Sequence, residues 1–475
     1  PEWNDANNAL VGQGLSMVTL YYLRRYVNFM RNLLFAESEH FTVSSEVSDW
    51  LVETSDAMSA LRTRIEYGSL DTAERYRTLV RLGEAAGNYR QRVYQQGGFT
   101  GSINQSISSV TALLDDALIV IDASIRNNLR QDGLYHAYNL ISIQDETVDV
   151  GHLYPMLEGQ VAVLSSGAVS AEQAISILEA LFDSDLFRTD IHTFMLYPDR
   201  PLPSFMQKNV VPADAIEIPL ITTMLQAGDN RIMSRDEDGG LRFDASLVNK
   251  GEVEDVLLQI ADDYADMVQA DRARILNLYE EVFNHKEFTG RSGGMFGFEG
   301  LGCVYWHMVS KLLLAVQEVF FAAIDQQQDD STLSRLGSLY YRVRQGLGFN
   351  KGPLEYGAFP TDPYSHTPRH AGAQQPGMTG QVKEEIVARF GELGARVQKG
   401  AVMFQPRLLR RREFLGQPLD HRYLAVSGKW RTINVPQDAL CFTWCQVPVI
   451  YRLSEQHAST VSIALHDGSV VQFEG

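Results

Sequence analysis

"LEGQVAVLSSGAVSAEQAISILEALF", residues 157–182, decides how the chain is read. The spacing predicts two short helices, at about 156–165 and 171–183. Ser170 is placed to cap the second, and Gln173 completes a capping box three residues on. Both helices are apolar along one face, so each must bury that face against another element. Helices arriving in such pairs suggest an α/α toroid, with long loops gathered at one end.

Working outward, helical spacing recurs from Leu10 to Phe35, where Leu15, Val18, Tyr22, Tyr26 and Met30 fall at three- and four-residue steps. More helices are expected at about 44–64, 71–95 and 103–126. Residues 130–155 carry aromatic and β-branched residues and read as extended chain with loops. Residues 185–250 read as irregular and Pro-rich. Helices resume at about 252–285, 303–326, 331–346 and 380–393. The stretch 347–378 between them reads as a long Gly/Pro/His loop, rich in Tyr and Phe, of the kind that lines a pocket. From about 395 the apolar period changes to two, and His466-Asp467-Gly468 marks a hairpin turn. The expected organisation is a helical part, 1–394, and a small antiparallel β domain, 395–475.

The 475 residues are 45% hydrophobic and 21% charged, ordinary for a globular protein, and the net charge of −18 argues against nucleic acid or an anionic membrane as partner. Within "LLLAVQEVFFAAI", the longest apolar stretch, Gln317 and Glu318 interrupt the run, so no membrane span is expected. Of the three cysteines, Cys441 and Cys445 fall in "ALCFTWCQVPVIY", which reads as one strand. Four residues of strand span roughly 13 Å, too far for a disulfide. No zinc-ligand spacing occurs, no metal is expected, and a reducing, cytoplasmic setting follows from the cysteine usage.

Inverting cleavage of a glycosidic bond needs an acid on the leaving oxygen and a nucleophile on the opposite face of the sugar. When that nucleophile is phosphate, a nest of donors replaces the second carboxylate. "PEWNDANNAL", residues 1–10, sets Trp3, a stacking face, beside Asp5, an acid. Thr379-Gly380 opens a helix whose free N–H groups suit an anion. The Gly-rich "GGMFGFEGLGCVYWHM" lacks the ending of a phosphate-binding P-loop, but Glu299 within it is a candidate for a sugar hydroxyl. Tyr135 and His136 in "GLYHAYNL" are further candidates for sugar contact. His307, in an apolar helix, reads as a core histidine.

These motifs, in this order, resemble the inverting glycoside phosphorylases of the cellobiose and chitobiose phosphorylase type. "EWNDANNALVG" is similar to that family's Asp-Trp-Asn-Asp-Gly motif, with Glu2 in place of its first Asp. "EGQVAVLSSGAVSAEQA", "FMLYPDRPLPSF", "RSGGMF", "TDPYSHTP" and "MTGQVKEEIVARFGELGARVQKGAVMFQPRLL" follow in the family's order. The resemblance implies the second part of an (α/α)6 barrel followed by a jelly-roll-like β domain. It implies phosphorolysis of a β-linked oligosaccharide, with Asp5 as general acid and inorganic phosphate as co-substrate in place of a cofactor. Glu2, Trp3, Glu158, Gln160, Glu299, Tyr135 and His136 are then expected around the sugar. Thr379, Gly380, His366, His370 and Gln375 are expected around phosphate. Phe298 stands where the family carries a phosphate-binding His, for which His307, His366 or His370 is a candidate substitute unless the phosphate contact differs, and Arg291 and Ser292 stand where it carries a donor-site Glu. The larger β-1,3-glucan phosphorylases, which share the barrel, are an alternative closer relative. The chain is expected to be the C-terminal portion of a longer enzyme, partnered by its own N-terminal part and, as often in this family, by a second copy. Two alternatives stay open: an inverting hydrolase using Glu158 or Glu299 as base, and a carbohydrate-binding relative without activity. The helices between about 40 and 130 match nothing in the family.

Overall fold

The computed structural model describes residues 14–34, 39–68, 70–199, 203–284, 302–369, 371–376, 379–454, 460–465 and 469–474. The chain divides into two compact units, residues up to Ala388 and residues from Arg389 onward.

The first unit is mainly helical. Helix α1 is Met17–Leu34. The spacing predicted it from Leu10, but Gly14–Ser16 is a strand, drawn into antiparallel pairing with Tyr138–Leu140. Its buried face is Met17, Val18, Tyr21 and Val27, while Tyr26 is exposed. Helices α2 (Ser45–Tyr67) and α3 (Thr72–Gln96) follow, capped by the Ser44 and Asp71 side chains. Residues Ile103–Ser106, expected to be helical, instead pair as a strand with His40–Val43. Helix α4 (Ile107–Asn127) packs along α1, and the α2–α3 hairpin is inserted between the two, leaning on α4 through α2. The unmatched block at 40–130 therefore holds the α2–α3 hairpin together with α4, on which the hairpin leans.

Residues Tyr138–Gln144 and Thr147–His152 form a hairpin, its turn built from Asp145 and Glu146, both at positive φ. Helices α5 (Leu157–Ser165) and α6 (Ala171–Phe182) come next, with both halves of the Ser170–Gln173 capping box formed.

The segment expected to be irregular is structured. Short hairpins join Phe187–Arg188 to Thr193–Phe194 and Met233–Arg235 to Leu241–Phe243. Helices α7 (Phe205–Lys208), α8 (Pro219–Gln226), α9 (Lys250–Gln259) and α10 (Ala261–Phe283) enclose a core of their own, running from Val211 to Phe283. The single helix expected at 252–285 is broken at Ile260, and Tyr264 leaves helical geometry.

Helices α11 (Trp306–Asp325) and α12 (Asp330–Gln345) form another antiparallel pair. Among the described residues α11 alone is long and apolar enough to cross a membrane, and it is largely buried inside the unit. The stretch 347–378 is not a bare loop. It holds α13 (Pro353–Tyr356) and the strand Tyr364–Thr367, which pairs with Val304–Tyr305 on one side and Gln374–Pro376 on the other. Helix α14 (Thr379–Glu392) closes the unit. Across the unit, α1, α5 and α11 lie side by side, while α4 packs on α1 and α12 packs on α11 and α6.

The second unit is a series of antiparallel hairpins: Ala395–Gln398 with Ala401–Phe404, Leu419–Leu424 with Trp430–Val435, Ala439–Trp444 with Val447–Arg452, and Thr460–Ala464 with Val470–Glu474. Each described strand here pairs with its neighbour in sequence, whereas a jelly roll requires pairing between distant strands. Cys441 and Cys445 do not share a strand. Cys445 and Gln446, both at positive φ, make a two-residue turn instead. The His466-Asp467-Gly468 turn lies outside the described residues.

Candidate functional site

The starts of four helices meet. The backbone N–H groups of Met17 and Val18, opening α1, donate to the Ala137 carbonyl at 2.9 and 3.2 Å. The first turn of α5 lies on the segment that leads into the strand at Tyr138: a side chain at Gly159 would meet the Tyr135 oxygen at 2.9 Å and the Ala137 nitrogen at 3.0 Å, so only glycine permits the approach. Leu157 N–H donates to the Leu196 carbonyl and Leu196 N–H to the Cys303 carbonyl, which brings α5 beside the start of α11. The Trp306 indole donates to Thr367 Oγ1 at 2.9 Å, and the sheet containing Thr367 leads directly into α14. Thus α1, α5, α11 and α14 all begin at one end of the unit.

Side chains from these helices face one another there. The Tyr138 hydroxyl donates to Glu158 Oε2 at 2.6 Å, both residues being buried. His307 Nε2 lies 3.4 Å from Glu384 Oε1, joining α11 to α14. The Lys311 ammonium sits 5.8 Å from the centre of the Tyr22 ring. Burial and then the Glu318 charge push the Tyr22 hydroxyl up to about 12, and Glu384 and Glu158 add to the effect. Burial alone would lift the Glu384 carboxyl, but His307, Lys311 and Lys383 more than reverse this and hold it below the usual range. The neighbouring Glu385 goes the other way: burial raises it, against hydrogen bonds from Gln381 and Ser310. Two adjacent carboxyls whose proton affinities are driven apart are suited to different tasks, one as a charge and one as a proton carrier. The Gln381 side-chain oxygen is buried with no partner among the described residues.

The expected site residues fall into three groups. Glu158 is in this cluster. Gln160 and Tyr135 are beside it, but the Gln160 amide is committed to backbone: it accepts from Tyr135 N–H at 2.9 Å and donates to the Tyr135 and Met156 carbonyls at 2.8 and 3.0 Å. His136 is buried, its ring 4.2 Å from that of His152. Burial, then His152 and Arg130, push its imidazole down to about 4. His366 lies on the sheet opposite Tyr305 and Gln374, and Gln375 is exposed at positive φ. Thr379 and Gly380 form the first turn of α14. Glu2, Trp3, Asp5, Glu299 and His370 lie outside the described residues.

Sequence reading missed Tyr22, Tyr138, Lys311 and Glu384, and read His307 first as a core histidine and only second as a stand-in for the family's phosphate-binding His. A signal for Glu384 was present. Helix α14 turns Gln381, Glu384 and Ala388 inward and leaves Val382, Ile386 and Val387 exposed. That inverts the usual amphipathic rule, and buried polar residues are the informative exception.

Residues 202–286 match the family model for GH149 phosphorylase insertion domain 2. The match coincides with the segment that closes its own core between α6 and α11. No curated protein matches the chain. The matched segment is similar to an insertion of the GH149 phosphorylases, and this supports a relationship of the chain to the GH149-type glycoside phosphorylases.

Proposed function

We propose that the protein is an inverting glycoside phosphorylase that cleaves a β-linked oligosaccharide with inorganic phosphate and releases a sugar 1-phosphate. The observation that carries this reading is the gathering of four helix starts at one end. Each segment expected to carry chemistry, at 1–12, 158–160, 291–299 and 361–380, runs into one of those starts. In this reading α1, α5, α11 and α14 are inner helices of an (α/α)6 barrel, and α4, α6 and α12 belong to its outer layer. Asp5 protonates the leaving oxygen, and Trp3 and Glu2 flank the donor sugar with Glu158. Phosphate sits at the first turn of α14, where backbone N–H groups and the helix dipole favour an anion, and attacks the anomeric carbon from the face opposite Asp5. The Lys311 ammonium favours an anion nearby, and the Glu384 carboxyl, held below the usual range, balances it.

The test is product chemistry. With a β-linked glucan oligosaccharide and inorganic phosphate, the expected product is a sugar 1-phosphate, formed only when phosphate is present. Free sugar formed at the same rate without phosphate replaces this reading with the hydrolase, for which buried Glu158 is the available base. Binding without turnover under both conditions leaves the carbohydrate-binding relative.

A further inference from the structure

We infer that the α2–α3 hairpin holds a separate site for a phosphomonoester. A cavity of about 330 Å³ lies between the two helices, within the range of about 300–1,000 Å³ typical of small-molecule pockets. Ala57 and Leu61 of α2 are buried and form an apolar wall. Arg64, one turn further along α2, and Arg77 and Arg81, one turn apart on α3, line it with Glu74. Arg77 is committed to Glu74, its Nη2 donating to Oε2 at 2.6 Å. Arg64 and Arg81 form no ion pair or hydrogen bond with any described residue. Of the hairpin's other arginines, Arg62 holds Glu66 and Asp116 and Arg92 holds Asp49, while Arg75 and Arg90 do not line the cavity.

Three guanidinium charges less the Glu74 carboxylate leave two positive charges, the complement of a phosphate dianion. Guanidinium forks match phosphate oxygens in pairs. The pocket has more room than a bare phosphate fills, and its Ala57–Leu61 wall offers contact to the apolar face of a small hydroxylated body. In a chain of net charge −18, such a local concentration of arginine is also what would draw an anion to this one surface. The site stands apart from the helix-end cluster, and only the choice of probe follows from the proposed reaction.

The experiment is calorimetric titration of the full chain with glucose 1-phosphate, glucose 6-phosphate and inorganic phosphate. Both sugar phosphates are expected to bind, and tighter than inorganic phosphate. Arg64→Ala with Arg81→Ala is expected to weaken the binding of glucose 6-phosphate at least tenfold, and Arg81→Glu to abolish it. Both arginines are exposed, and unchanged unfolding curves check that the variants fold. Absence of binding, or affinity unaffected by the arginine variants, overturns the inference. Equal affinity for inorganic phosphate overturns the phosphomonoester class.

Discussion

The insertion from Val211 to Phe283 and the helix ends around Glu158 both bury polar side chains, but they use them in opposite ways. In the insertion the polar atoms reach backbone. Asp271 accepts from Leu220 N–H at the start of α8, Asn209 exchanges two hydrogen bonds with the Phe243 backbone, and the Tyr279 hydroxyl donates to the Leu247 carbonyl. Such groups are fully spent, and they lock a closed apolar core. At the helix ends, side chains reach other side chains: Tyr138 to Glu158, His307 to Glu384, Lys311 over Tyr22. Those partners can be exchanged for a ligand without breaking secondary structure. The lesson is that burial of a polar residue does not mark a site; what its partner is does. Gln160 shows the point, since it borders the cluster yet belongs to the first kind.

Four variants, with two controls, break or sharpen this contrast. The largest effect is expected from Asp5→Asn: turnover falls by about 10²–10⁴-fold, the usual worth of general acid catalysis, while sugar binding persists. Near-normal turnover would remove Asp5 from the chemistry. Next, Leu257→Ala in the insertion core, where Leu257 is wholly buried, is expected to cost about 2–5 kcal/mol in denaturant unfolding. The exposed apolar residues Phe29 on α1 and Val382 on α14 are the control: each changed to Ser is expected to move stability by no more than about 0.5 kcal/mol. Comparable losses at all three positions would mean that these faces are not open. Third, Gly159→Ala is expected to cost about 1–3 kcal/mol, because its new Cβ meets backbone of Tyr135 and Ala137 that cannot step aside. Differential scanning calorimetry checks it, and an unchanged melting temperature would show that α5 does not approach this segment so closely.

The smallest effect is a pH dependence. Burial, then His152 and Arg130, push the His136 imidazole down to about 4 in the folded chain from its ordinary value of 6.5. Between those values the unfolded chain binds more protons, so stability falls as pH falls from about 6.5 to 4, and this contribution is flat above that window. The loss is of order 1–3 kcal/mol. His136→Gln is expected to flatten the slope of unfolding midpoint against pH in that interval, and an unaltered slope would assign the dependence to other groups.

The helices α5 and α6 with their capping box, the pairs around them, and the switch to β structure near 395 were legible because they rest on local rules: apolar period, caps and turn residues. Where tertiary pairing competed with local preference, it won. Gly14–Ser16 and Ile103–Ser106 left predicted helices because facing strands satisfied their backbone. The turns Asp145-Glu146 and Cys445-Gln446 were not legible because neither carries the glycine that usually marks positive φ. The insertion core was hidden because its residues come from short elements scattered over more than seventy positions, and no local period links them. For the site, sequence by itself nominated segments, chiefly those flanking Glu158 and Thr379. Only the tertiary structure decided that their helices start together, that Glu384 turns inward while Val382 turns out, and that Gln160 is spent on backbone. The physical reason is that a side chain's role depends on which partners lie within hydrogen-bonding reach, and for His307 that partner, Glu384, lies 77 positions away.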